Sequence, residues 1–437
     1  MRKRYLRSSG KKTTESGRKD DKLKLLKWLY PGMGIKRWIG LTVFGVIMLS
    51  MGFVVIIAEE QGQASLGSSL IVILGVLAII TGTKRILNSL ISILLPPHTD
   101  KELVDIVYTR RQLEKGPRVV VIGGGGGLTA ILRGLKEYTS NISAVVTILD
   151  EGRFDSSFGN GPDASSEVIR KSLIALADAE PVVEKLFSYR FTKGTELWGY
   201  NFGNIFLDAM SGIAGNFDGA VKESSKVLAI RGKVILSTLS KVSIIAKRRD
   251  GTETIGKQQI LHSASPIQQV HLRPQAAKVT MEAIYAIENA DAIVFGPGNL
   301  YTNTIPNLLI DSIKSAVLSS RAAKIYMLNI MTVAGETDNC KASDHVRILG
   351  EQISPGLVQY CIANKAKVPE ELLEKYRAED SEPVAMDREN FKKLNCKIRA
   401  ADLLDTTKGF IRHDPSKTSR LIFSVIQESK RSKLYGK

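Results

Sequence analysis

The sequence predicts an α/β fold with a mainly parallel sheet, preceded by two transmembrane helices. Three observations carry this. Ile39–Ala58 is twenty residues without a charge, enough helix to cross a hydrocarbon core of roughly 30 Å. A second uncharged apolar run extends from Leu66 to about Thr83. From Arg118 onward, short runs rich in β-branched residues alternate with stretches of helical spacing, the pattern of βαβ units and a parallel sheet.

Residues 1–38 hold thirteen Lys and Arg against three acids, ten of the chain's seventeen net positive charges. A nucleic-acid-binding domain carries its excess on one face of the folded part. Here most of it sits in a tail, so no nucleic-acid partner is expected. Residues 1–38 read as a basic cytoplasmic tail facing an anionic membrane surface, where each Lys or Arg gains on the order of 1 kcal/mol. Residues 39–95 read as a two-pass hairpin. The link EEQGQAS is acidic, and Lys84 and Arg85 close the second run. Basic flanks favour the cytoplasmic side, which places both ends and the α/β domain inside a cell membrane. A buried core hairpin is the competing reading, but Ile39–Ala58 offers only Thr42 and Ser50 as polar side chains. A signal peptide fits poorly, because its apolar stretch spans 7–15 residues. Ile86–Leu95 is placed along the interface, ending at Pro96-Pro97. Residues 96–117 read as a linker and 118–437 as one domain.

Within that domain, Val119–Ile122 predicts a strand, Leu128–Tyr138 a helix and Ala144–Leu149 a second strand. Helices follow near Val168–Ala177, Ile205–Ile213, Ala220–Leu228, Ala277–Asn289 and Asn307–Ser319. Strands follow near Val234–Leu236, Val242–Ala246, Val270–Leu272, Ala292–Phe295 and Ile325–Asn329. The charged stretch Val368–Asn390 reads as an excursion or flexible segment. Lys397–Ala400 and Gly409–Arg412 read as edge strands, and Pro415–Ser429 as a closing helix with Asp414 at its N-cap. Three cysteines without a CxxC pair exclude a disulfide framework and a cysteine zinc site. Five scattered histidines form no HExxH.

The first strand runs into Gly123, Gly124, Gly125, Gly126 and Gly127, with a helix from Leu128. Bare backbone N–H groups at a helix N-terminus bind anions, phosphate above all. Gly125-x-Gly127-x-x-Ala130 matches the dinucleotide fingerprint, with Asp150 and Glu151 where a ribose-binding acid would stand. The fingerprint leaves a nicotinamide cofactor and other nucleotides both open. Three more Gly/Asn-rich turns fall at element ends: Gly199–Asn204, Phe295–Thr302 and Asn329–Thr337. Together they suggest a nucleotide or sugar-phosphate pocket. No GxSxG elbow or Ser–His–Asp order is present, so no catalytic residue and no metal ligand is assigned. His345 reads as a ligand contact or a surface helix residue, and Arg170 as a phosphate contact or part of an exposed helix face.

RVVVIGGGGGLTAILRGLK, GYNFGNIFLDAM, FGPGNLYTNTIPNLLI and NIMTVAGETDN make the chain recognisable. It resembles the YvcK-type gluconeogenesis factors, of the superfamily of 2-phospho-L-lactate transferases (CofD-like proteins). The resemblance runs from about Arg118 to the RHDPSK stretch; the membrane hairpin lies outside it. It implies a Rossmann-like domain binding a UDP-sugar, UDP-N-acetylglucosamine or UDP-glucose, and a regulatory role in carbon metabolism, cell shape and wall-precursor supply. A homo-oligomer and an unidentified protein partner stay open. The transferase branch implies Mg²⁺ held by an acid. By position, Gly123–Thr129, including Leu128, matches the family's phosphate loop, and Asp150 and Glu151 its acidic turn. Asn201 and Asn204 fall in a neighbouring segment. Gly296, Gly298, Asn299, Tyr301 and Thr302 match a second loop, with Asn329, Thr332, Glu336 and Thr337 along its edge. The chain departs from the family at Gly126, where Thr is usual, in the glycines after Glu151, at Val168 and Lys171, and at Tyr200 in place of His. These departures leave three alternatives: a Mg²⁺-dependent transferase, an NAD(P)-binding oxidoreductase, and a scaffold with a degenerate pocket.

Overall fold

A computed structural model describes residues 35–58, 66–94, 103–147, 149, 164–178, 181–194, 197–263 and 265–434. The chain divides into two compact units, Met1–Tyr108 and Thr109–Lys437. In the first, Ile35–Ala58 and Leu66–Leu94 are helices packed on one another. Each contains a stretch long and apolar enough to cross a membrane, Lys36–Ala58 and Leu66–Ser89. Their contact seam is made of small residues. Gly45, Gly52, Ser68, Gly75 and Gly82 are buried, spaced by seven as in a left-handed helix pair. A Cβ on Gly45 would lie 2.8 Å from the Gly75 carbonyl oxygen. Phe44, Ile47, Met51, Phe53 and Ile57 point outward. At the basic end the Arg85 guanidinium lies 5.1 Å from the Trp38 ring centroid, a cation–π contact.

Among its described residues the second unit has twelve strands: β1 Val119–Ile122, β2 Ile142–Val146, β3 Lys233–Leu236, β4 Ser243–Arg248, β5 Glu253–Ile255, β6 Ile267–Arg273, β7 Ala292–Phe295, β8 Ala323–Met327, β9 Tyr360–Asn364, β10 Lys397–Ala401, β11 Leu404–Asp405 and β12 Arg412–His413. Seven form one sheet in the order β10-β9-β8-β7-β1-β2-β3, with every pair parallel. A parallel sheet is covered on both faces, so its strands are continuously apolar; β1, β7 and β8 are buried at every residue. Val120, Ile122, Ile293, Phe295 and Tyr326 face one core. Val119, Val121, Val294 and Ile325 face the other. The strand order reverses at β1, between β2 and β7, and ligands bind such sheets in the crevice at that switch point.

Several expectations change. The strands expected near Val242 and Val270 are not in the parallel sheet. They form a separate antiparallel sheet, β5-β4-β6, as a short apolar run does not reveal its partner. β9 and the helix Ala342–Gln352 were not anticipated. The supposed linker contains the helix Leu103–Glu114, whose Leu113 is buried. The helix expected over Asn307–Ser319 is broken into Ile305–Leu308 and Asp311–Ser319. Val368–Asn390 carries the helix Glu370–Arg377 and contributes Val368 and Leu373 to a small core with Ile330, Met331 and Ile411. Lys397–Ala400 is the edge strand β10, and β12 pairs only with β11. Asp414 caps the closing helix Pro415–Leu434, its Oδ1 accepting from Lys417 N–H at 2.9 Å. The basic tail's residues 1–34, the acidic link and Pro96-Pro97 lie outside the described residues.

His345 is neither on the surface nor in the ligand crevice. It is buried on the helix Ala342–Gln352, with Nδ1 3.1 Å from the Tyr326 hydroxyl. His413 is buried too. Burial pushes each imidazole down to about 4, so both are neutral at pH 7. Unfolded, they titrate near 6.5. Their contribution is complete above that value and is lost as pH falls through 6.5 toward 4. A tenfold change in proton affinity corresponds to about 1.4 kcal/mol, so each imidazole contributes on the order of 3 kcal/mol across that window. The expected outcome is a thermal midpoint that drops between pH 6.5 and 4, with a shallower drop in a His345→Gln/His413→Gln variant. Equal slopes in the two proteins would contradict this.

Candidate functional site

Two glycine loops leave the adjacent central strands β1 and β7 and lie against each other at the switch point. Gly123 N–H still donates to Val145 O at 3.4 Å, and Gly296 N–H to Ile122 O at 2.8 Å. The helix Gly125–Leu135 begins two residues later, with Gly124 extended at its N-cap and no side-chain cap. Its first-turn N–H groups are therefore donors awaiting acceptors. A Cβ on Gly123 would sit 3.3 Å from Gly296 Cα, and one on Gly127 would sit 2.7 Å from the Pro297 ring. Gly298, at φ +146°, would press a Cβ onto the Gly124 carbonyl oxygen. Gly126 has nothing within 4 Å. Leu128 turns its side chain into the core, leaving its backbone for any ligand. Thr129 Oγ1 is buried with no hydrogen-bond partner.

The β7 loop is held from behind. Asn329, just past β8, clamps one residue on both sides: its Oδ1 accepts from Gly298 N–H at 3.2 Å and its Nδ2 donates to Gly298 O at 3.0 Å. Asn299 O accepts from Thr304 N–H at 3.1 Å, an i→i+5 turn over Leu300–Thr304. Such π turns recur at functional sites. Glu336 fixes the same segment. Its Oε1 accepts from Asn299 Nδ2 at 2.9 Å and Thr302 Oγ1 at 2.5 Å, and its Oε2 from Tyr301 N–H at 3.0 Å. Burial raises this carboxyl above its ordinary range, against the pull of the three donors and of Lys257. Asn299, Thr302 and Glu336 thus spend these groups on each other, and Tyr301 lies in the core. Thr337 Oγ1 accepts from Val333 N–H at 2.9 Å. Thr332 pins the 381–382 segment, its Oγ1 accepting from Glu382 N–H at 2.9 Å and its carbonyl from Ser381 Oγ at 2.6 Å.

Asn201 and Asn204 form a second group. Asn201 caps the helix Phe202–Ala214, accepting from Gly203 N–H at 2.9 Å. Asn204 Oδ1 accepts from Arg170 Nε at 3.0 Å, and Arg170 Nη1 donates to Phe187 O at 3.0 Å. Arg170 is buried rather than spread on an exposed helix face, and desolvation lowers its pKa. Asp150 and Glu151 lie outside the described residues.

Sequence reasoning missed five contributors. Asn303 packs its side chain against Gly124 and Gly125. Its amide fits best with Nδ2 toward Thr302 O and Oδ1 toward Asn299 N–H, 3.2 Å each. Lys257 Nζ lies 3.4 Å from that amide, which brings a cation to the glycine loop from beyond β5. Thr147, at the end of β2, donates to Asn307 Oδ1 at 2.7 Å, and Asn307 Nδ2 donates to Asn303 O at 2.8 Å. Arg248 donates to Gly335 O at 3.2 Å and Ile260 O at 2.5 Å, tying the antiparallel sheet to the loop bearing Glu336. Only the Asn303 and Asn307 pair stood inside a recognised motif; Lys257 and Arg248 had no local signal.

Among the described residues no group of three His, Cys, Asp or Glu is placed to hold a metal. Glu336, the carboxylate within this cluster, has both oxygens engaged. The described residues therefore do not fit a Mg²⁺ site.

The topology and the paired glycine loops define a parallel α/β protein of Rossmann-like type. A family model, 2-phospho-L-lactate transferase CofD, matches residues 119–404. The chain belongs to the CofD family. It is 37% identical over 315 residues to the gluconeogenesis factor of Bacillus subtilis, across 71% of this chain and 99% of that one. A Clostridium acetobutylicum relative is 36% identical over 424 residues, 93% of each chain, so that alignment runs into the hairpin. The crystal structure of BH3568 from Bacillus halodurans, 36% identical, superposes with a TM-score of 0.66, covering 70% of this chain and 99% of that one.

Two outcomes follow from this geometry. Gly126→Ala meets open space in a helical turn and is expected to stabilise by about 0.5–1 kcal/mol. Gly127→Ala collides with Pro297 and is expected to cost about 1–3 kcal/mol; urea denaturation of both variants checks the contrast. Glu336→Gln sets an amide N–H against the Tyr301 N–H or withdraws an acceptor from Asn299 and Thr302. It is expected to cost about 1–3 kcal/mol, read in the same denaturation experiment. A Glu336→Gln midpoint equal to wild type would show that this carboxylate does not hold the loop.

Proposed function

We propose that the protein is a membrane-anchored regulator of the gluconeogenesis-factor type. Its α/β domain binds a UDP-sugar at the C-terminal ends of β1 and β7, facing the cytoplasm. Occupancy of that site is then relayed to carbon metabolism, cell shape and wall-precursor supply. One observation carries the binding proposal: an uncapped helix N-terminus at the switch point, clasped by a second glycine loop and flanked by Lys257. Donors predominate there, which suits a diphosphate. The name of the Bacillus subtilis relative supports the metabolic assignment. Small residues inside the hairpin and large apolar ones outside suit lipid as the solvent, where close backbone packing drives association.

Thermal unfolding with UDP-N-acetylglucosamine, UDP-glucose, UDP, GDP, NAD and NADP, with and without Mg²⁺, tests the proposal. Saturation at 100 times Kd is expected to stabilise the protein by about 2.7 kcal/mol, selectively with a UDP-sugar. A shift confined to GDP with Mg²⁺ would replace the regulator with a transferase. A shift with NAD would replace the UDP-sugar with a dinucleotide.

A further inference from the structure

We infer that the α/β unit carries a second membrane contact, an apolar ridge with interleaved lysines that rests on an anionic lipid surface. Val182 and Leu186 are one turn apart on the helix Pro181–Ser188, 70% and 45% exposed. Val183 packs toward the core and Phe187 is buried, so the exposed pair forms the outer face. The chain continues into an antiparallel ribbon in which Phe202 N–H donates to Tyr189 O and Phe191 N–H to Tyr200 O, each at 2.9 Å. Tyr189 is 49% exposed and Trp198, at the turn of the ribbon, 62%. Tyr189 adjoins the helix directly, its N–H donating to Leu186 O at 3.0 Å. Lys185 and Lys193 are exposed and have no ion-pair partner among the described residues.

Contiguous exposed apolar side chains mark an interaction surface, and the composition selects its occupant. Trp and Tyr concentrate at the membrane–water boundary, and unpaired lysines gain from anionic headgroups. Contact between two copies suits the ridge less well. Among the described residues, Glu184 is already engaged by Arg133 and Asp178 by Arg231, so such contact offers the lysines no free described acid from this stretch. This inference rests on the hairpin residing in a bilayer.

The test uses residues 109–437, a unit that corresponds to nearly the whole of the Bacillus subtilis relative. Trp198 is its single tryptophan, since Trp28 and Trp38 lie in the other unit. With phosphatidylglycerol-containing vesicles, the expected results are a blue-shifted Trp198 emission and quenching by acyl-chain-brominated lipid. Val182→Ser/Leu186→Ser keeps the reporter and an unchanged thermal midpoint. It is expected to lower vesicle partitioning at least about tenfold. Lys185→Gln/Lys193→Gln is expected to abolish the preference for anionic over neutral vesicles. Unchanged Trp198 emission, undiminished partitioning of the serine variant, or a shift that follows protein concentration without vesicles would each overturn the inference. Carbonate washing of membranes holding the full chain reads the hairpin separately, so loss of the anchor and loss of the ridge are distinguishable.

Discussion

The structure of the site depends on backbone meeting backbone. Gly123 and Gly127 approach Gly296 and Pro297 so closely that no side chain fits between the loops. That contact lets two loops from adjacent central strands occupy one crevice. Each loop covers the back of the other, so the N-terminal turn of the helix Gly125–Leu135 is aimed outward. With bulkier residues the loops would separate and their donors would diverge.

A second constraint keeps the contact in register. Glu336 is buried with no cation bonded to it, and burying a lone carboxylate is costly. Three directed donors from Asn299, Tyr301 and Thr302 offset much of that cost. Such an arrangement is specific, because a loop shifted by one residue would leave both the carboxylate and its donors unpaired. Asn329 adds a two-sided clamp on Gly298. The residues resembling a family ligand set therefore act largely by holding one another, and the surface they build is mostly backbone.

The two units are packed in opposite senses. In the α/β unit, large apolar side chains fill the interior and charge lies outside. In the hairpin, glycine and serine form the seam and large apolar side chains face outward. Water rewards burying large side chains; lipid tails do not, so in lipid close packing of small residues decides the interface. Relatives that lack the hairpin retain the α/β unit, as the Bacillus subtilis protein does.

Much of this was legible without coordinates. Twenty uncharged residues predict one long apolar helix, and the run from Val119 into five glycines predicts a strand feeding a helix N-terminus. The Asp414 cap was legible for the same reason: its cause is local. The tertiary structure alone decided that β4 and β6 leave the parallel sheet, that His345 and Arg170 are buried, and that the charged Val368–Asn390 stretch is docked beside Thr332. It also decided that Lys257 and Asn303 stand at the glycine loop, 46 residues apart in sequence. Periodicity and capping report interactions within a few residues. Partners across the fold are chosen by packing and by the satisfaction of buried polar groups, which are properties of the assembled chain.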